Sequence, residues 1–147
     1  MSLTWVAVQV ATDQSRRRSK RGPFRAADIR LGHVTEAELG PEDIKIITLA
    51  RSARARVGSA EGAAVRDEMG RTYAAAAVAL PSLRLSALTL AVAMAVSSGA
   101  VALEAAALVS DGPGPAAEEI GAVKDIGAGA LIIHAGSDGT VREKLRL

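Results

Sequence analysis

The stretch LEAAALVSDGPGPAAEEIGAVKDIGAGALIIHA, residues 103–135, decides the fold. Residues 103–109 form a nearly continuous apolar run of strand length, the pattern of a strand buried on both faces. The run Ser110-Asp111-Gly112-Pro113-Gly114-Pro115 stops it, because proline removes donors and glycine loosens the backbone. Residues 116–126 then carry a helical pattern with Glu118 and Glu119 in the first turn, where acidic side chains suit the helix dipole. Gly127 is expected to cap that helix, and residues 130–135 return to strand.

Outward from this block the alternation continues. Ser137-Asp138-Gly139 is a turn, and residues 140–147 read as a last strand with Val141, Leu145 and Leu147 roughly on period two. Upstream, residues 85–98 predict an apolar helix ended by Gly99. Before it, residues 62–66 and 72–79 predict a hairpin whose turn, Asp67 to Arg71, closes at Gly70. Pro41 with Glu42 and Asp43 opens an amphipathic helix that runs to Val57-Gly58. Helix, strand, strand, helix, strand, helix, strand, strand is the order of an α/β domain with a mixed sheet flanked by helices.

Composition narrows the chemistry. The 147 residues suit one domain, assigned here to 41–147, preceded by a solvated, flexible basic arm over 1–40. Apolar residues make up 49% of the chain but aromatics only 2%, so the core must be built from alanine and branched aliphatics. Cysteine is absent, which excludes disulfide frameworks, thiolate metal sites and cysteine nucleophiles. The two histidines are His33, in the arm, and His134, expected as a hydrogen-bonded core or edge residue of its strand. Residues 85–103 carry no charge and reach the length of a membrane span, but alanine and Ser97-Ser98-Gly99 favour a buried helix followed by a strand. With no secretory pattern either, a cytoplasmic protein without a membrane span is expected.

The arm holds seven Lys/Arg against four Asp/Glu, leaving eleven against twelve for the rest of the chain. Arg16, Arg17, Arg18, Lys20 and Arg21 place five cations within six residues, a candidate anion-binding patch that extends through residue 30 toward nucleic acid. Only Phe24 lies near it, so base stacking is not indicated. Asp67 with Glu68, and Glu118 with Glu119, read as structural or solvated. Neither Gly127-Ala128-Gly129 nor residues 112–115 makes a phosphate cradle.

Three local patterns, in this order and spacing, resemble the small cytidine deaminase family. Gly62-Ala63-Ala64-Val65 followed by Gly70 is similar to that family's first hairpin. Leu85-Ser86-Ala87-Leu88-Thr89-Leu90-Ala91 falls where the family has apolar-Cys-Ala-Glu-Arg-Thr-Ala, and Ile120-Gly121-Ala122-Val123-Lys124-Asp125 where it has Cys-Gly-Ala-Cys-Arg-Gln. The resemblance covers about residues 42–147 and implies a three-layer α/β/α fold on a mixed five-stranded sheet. In the family, zinc is held by one Cys or His and two Cys at the starts of two helices, and a glutamate moves the proton.

By this resemblance the ligand positions are Ser86, Ile120 and Val123, the glutamate position is Leu88, and the ribose-gripping Asn-x-Glu pair falls at Ala77 and Ala79. No metal or other cofactor is expected. Aliphatic side chains plugging the site would hold the two helix starts together by burial, each contributing about 1.5–3 kcal/mol. The resemblance implies a catalytically inactive relative with a structural, interaction or ligand-sensing role. It also implies a homo-oligomer, dimer or tetramer, with room for another protein partner. The alternatives are a zinc-dependent nucleoside deaminase with an altered site, and a nucleic-acid-binding protein acting through the arm.

Overall fold

The computed structural model describes residues 39–147. The arm's cations Arg16, Arg17, Arg18, Lys20 and Arg21, and His33, lie outside the described residues. Helix α1 (Pro41–Val57) has Pro41 in its first turn with Glu42 and Asp43, and it ends at Gly58 in the left-handed conformation, φ 64°. Strands β1 (Glu61–Asp67) and β2 (Thr72–Ala76) form the expected hairpin. β1 also pairs antiparallel with β5 (Leu103–Ser110); β5 runs parallel to β6 (Leu131–Ala135), which pairs antiparallel with β7 (Val141–Arg146). The result is a mixed five-stranded sheet in the order β2-β1-β5-β6-β7.

Side-chain alternation divides the core in two. On one face Ala63, Val65, Ala106, Leu108 and Ile132 of the sheet pack with helices α2 (Ala87–Ser97) and α3 (Ala117–Ile126). On the other, Ala64, Ala105, Ala107, Val109, Ile133 and Ala135 meet Ile46, Ile47 and Ala50 of α1. This is the three-layer α/β/α arrangement. The central strand supplies three consecutive alanines, so helices approach the sheet closely from both sides. At Gly62 the approach leaves no room for a side chain: a Cβ there would overlap the Ala50 carbonyl and lie 2.8 Å from the Arg54 Cβ and backbone nitrogen.

The turn between β1 and β2 is a network built on Asp67, which is wholly buried. Its carboxylate accepts from the Met69 and Arg71 backbone N–H groups at 3.0 and 2.9 Å, from Arg71 Nε at 2.7 Å and from the Tyr73 hydroxyl at 3.1 Å. Burial pushes its pKa up, and these hydrogen bonds outweigh that and hold it below the ordinary carboxylate value. Gly70 closes the turn with φ 78°. Glu68 is also structural, accepting from the Ala102 N–H at 3.1 Å.

Two expectations need correction. The predicted strand over 72–79 stops at Ala76, and a separate small hairpin, β3 (Val78–Leu80) with β4 (Leu83–Leu85), follows around Pro81-Ser82. That hairpin is missing from the eight-element order. Helix α2 starts at Ala87 rather than 85, because Ser86 is extended and caps it, its side-chain oxygen accepting from the Thr89 N–H at 3.2 Å. Gly127 caps the end of α3 as expected, at φ −141° with its N–H donating to the Lys124 carbonyl, and the positive φ of the following turn falls on Gly129. The uncharged stretch after Arg84 resolves into an 11-residue helix and the start of β5, and among the described residues no helix is long and apolar enough to cross a membrane.

Candidate functional site

Helices α2 and α3 pack against each other, and their starts carry the positions singled out in the sequence. Ser86 spends its hydroxyl on capping: Oγ accepts from the Thr89 N–H and donates to Thr89 Oγ1 at 2.9 Å. Two residues on, Leu88 is wholly buried. Val123 on α3 is wholly buried in the same aliphatic cluster, and Ile120 packs against that cluster from the first turn of α3. Ala77 is half-buried in the link from β2 to β3, and Ala79 is exposed on β3.

Each helix start takes a carboxylate acceptor from within the chain. Glu61, at the start of β1, reaches across to accept from the Ala87 N–H at 2.9 Å, and Glu119 reaches back to accept from the Ala116 N–H at 2.7 Å. Sequence reasoning placed Glu119 correctly near a helix start and missed Glu61, since nothing local links residue 61 to residue 87. The other Glu119 oxygen, Oε1, is buried without a hydrogen-bond partner among the described residues.

This donor set does not fit zinc. Three of the four positions that resemble the metal and proton-transfer residues are saturated aliphatics, and the fourth is a hydroxyl already engaged. A catalytic zinc keeps three protein ligands, and among the described residues no group of three or more His, Cys, Asp or Glu side chains is placed to hold a metal ion.

A concavity opens beside these positions, between the first turn of α3 and strands β6 and β7, and Ile120 itself lines it. This cavity, about 60 Å³, is lined by Pro115, Ile120, Ile132, His134, Glu143 and Leu145. Period-two alternation on β6 puts His134 on the same face as Ile132, and antiparallel register sets it directly across from Glu143. His134 is 4% exposed, as expected of a core histidine, and its Nε2 lies 3.1 Å from Ser110 Oγ. Burial pushes its pKa down, with the nearby Arg142 charge adding to the effect, against opposing contributions from Ser110 and Glu143.

The loop between β5 and α3 forms the rim. Asp111 anchors it, accepting from the Ser137 N–H at 2.9 Å and from Arg142 Nη2 at 3.3 Å, with Arg54 Nη2 3.6 Å away. The Ser137 hydrogen bonds, followed by the two arginines, hold Asp111 below the ordinary carboxylate pKa. Ser110, His134 and Glu143 together have the composition of a nucleophile, base and orienting carboxylate. The geometry does not serve that chemistry: Ser110 is 6% exposed and does not line the cavity, which opens on the opposite side of the imidazole.

Comparison with known proteins bears on the whole arrangement. Among curated proteins no sequence matches this chain. Similar solved structures include a cytidine deaminase from Burkholderia pseudomallei (TM-score 0.61, 21% identity, 69% of this chain and 90% of that one) and one from Mycobacterium leprae (TM-score 0.54, 19% identity, again 69% and 90%). A mutant cytidine deaminase from Mycobacterium tuberculosis also matches, at TM-score 0.52 and 23% identity over 61% of this chain and 81% of that one. At these identities the likeness establishes the fold. The sequence profile described as cytidine deaminase-like matches residues 39–139, which spans all three helices and every strand of the sheet except β7. By fold and by sequence profile, this chain belongs to the cytidine deaminase-like family.

Proposed function

We propose that this chain is a non-catalytic member of its family, acting in the cytoplasm as a structural, interaction or ligand-sensing module. The observation that carries the reading is the burial of Leu88 and Val123 in one aliphatic cluster, with Ile120 packed against it, at the positions that resemble the proton-moving glutamate and two zinc ligands. The three aliphatic side chains offer no lone pair to a metal and no group to move a proton, and Ser86 spends its hydroxyl on the helix cap. The test is metal analysis of the purified protein together with ammonia release from cytidine at saturating zinc. The expected result is no stoichiometric zinc and no release; chelator-sensitive release would overturn the reading in favour of a deaminase with an altered site.

The module works as a homo-oligomer, dimer or tetramer. Support comes from α2, which has no charged residue, and from its exposed Met94 and Val96 together with exposed Leu80 and Leu83 on the β3–β4 hairpin. Light scattering is expected to give a multiple of 15.0 kDa, reduced to the monomer mass in Met94→Glu. A wild-type monomer at high concentration would refute this part alone. Residues 1–40 act as an appendage to the domain 41–147, and RNA binding that survived their deletion would show that the arm's cations are not a nucleic-acid site.

A further inference from the structure

The cavity beside His134 differs from the aliphatic helix starts in one respect: it presents polar atoms without a protein partner, on the exposed Glu143 and the buried His134. Among the described residues Glu143 makes no ion pair or side-chain hydrogen bond, and His134 makes none through Nδ1. The ring is held from its other side. The Ser110 hydroxyl has a single proton and a second acceptor, the Pro113 carbonyl, at 3.4 Å. With that proton on Pro113, Oγ accepts from His134 Nε2–H at 3.1 Å. The neutral imidazole then carries its lone pair on Nδ1.

Gly114 keeps that side open. Its φ is not in the left-handed region, so its backbone conformation does not require glycine. Space does: a Cβ at residue 114 would sit 2.9 Å from Glu143 Oε2 and 3.5 Å from His134 Nδ1, filling the gap both atoms face. The remaining walls, Pro115, Ile120, Ile132 and Leu145, are aliphatic. A water needs roughly 10–15 Å³ of such space, so about 60 Å³ accommodates a body of about four to six non-hydrogen atoms.

We propose that the cavity is a binding site for a small alkylammonium group, free or at the end of a larger molecule. The ammonium donates to the Glu143 carboxylate and to His134 Nδ1, and its short alkyl body lies against the aliphatic wall. Two acceptors, one anionic, with no cationic side chain among the lining residues select against anions and give a neutral alcohol only part of the hydrogen bonding. This goes beyond the non-catalytic reading and would stand or fall separately from it.

The test is NMR of the His134 ring in the full chain, assigned with His134→Gln, during titration with n-propylammonium, n-propanol and propionate. The free protein is expected to show the Nε2–H tautomer. Propylammonium is expected to shift the ring resonances saturably, with propanol at least about tenfold weaker and propionate silent. Glu143→Gln should weaken propylammonium by about tenfold or more. Gly114→Ala should abolish its binding while leaving the circular dichroism spectrum unchanged, because the added methyl meets only the flexible tip of Glu143 and the ring edge. An Nδ1–H tautomer, equal binding of propanol, no saturable response, or full binding by folded Gly114→Ala would each overturn the proposal.

Discussion

The Arg71 guanidinium lies half exposed while the Asp67 carboxylate it binds, 2.7 Å away, is wholly buried, so a surface cation closes the lid on a buried anion. The pair, with two backbone donors and the Tyr73 hydroxyl, fixes the β1–β2 turn. Asp67→Asn leaves the donors of Arg71 and Tyr73 short of acceptors and is expected to lower Tm by several degrees, with Tyr73→Phe producing a smaller fall. The folded pKa of Asp67 lies below the unfolded value of 3.8, so its contribution is complete above that value and is lost as pH falls through the folded one. Thermal melts below pH 4 should show a steeper loss in the wild type than in Asp67→Asn.

His134 gives a separate acid response at higher pH. Its folded pKa is depressed below 6.5, mainly by burial, so the unfolded chain takes up the proton first. Stability is expected to fall as pH drops below about 6.5 and to level off beneath the folded pKa. Replacing the residue by glutamine should flatten that slope and leave the Asp67 phase unchanged. A wild-type stability profile without slope in the window just below 6.5 would contradict the assignment.

Gly62→Ala is expected to destabilise the domain strongly, by about 1–3 kcal/mol or more, because the new methyl meets the backbone of α1 and not a side chain that can swing away. Denaturant titration checks this. The control is Gly121→Ala on α3, where a Cβ meets nothing within 4 Å and an alanine should be neutral or mildly stabilising.

At the plugged helix starts, Leu88→Ala is expected to cost about 2–5 kcal/mol, as a wholly buried side chain in a tight cluster. Ser86→Ala should cost about 0.5–2 kcal/mol through loss of the cap. Leu88→Glu, which restores the residue type of the resemblance, should unfold the domain without producing deaminase activity, since an unpaired carboxylate would be buried among Val123, Ala91 and Val92. Urea denaturation and an ammonia assay on the same preparations test both halves.

Sequence periodicity made the sheet, α1, β5 and α3 legible because those elements carry strong apolar patterns and clear glycine or proline stops. It misread residues 77–86, where alanine and leucine suit strand and helix equally and only Ser86 marks the boundary. The helix-start positions Ser86, Leu88, Ile120 and Val123 could be singled out through the resemblance. The structure adds what they do, one as a cap and three in aliphatic packing. The cavity beside His134 was not legible. His134 and Glu143 are nine residues apart in sequence and meet only through β6–β7 register, and Gly114 matters through the side chain it lacks.

The alanine-built core has a thermal consequence. Ala63, Ala64, Ala105, Ala106 and Ala107 fill the middle of the sheet with methyl groups, so unfolding exposes less apolar area per residue than a leucine- or phenylalanine-filled sheet would. The heat-capacity increment of unfolding follows exposed apolar area. The stability curve of this domain is therefore shallower than its length alone would give, declining gently on both the warm and the cold side of its maximum.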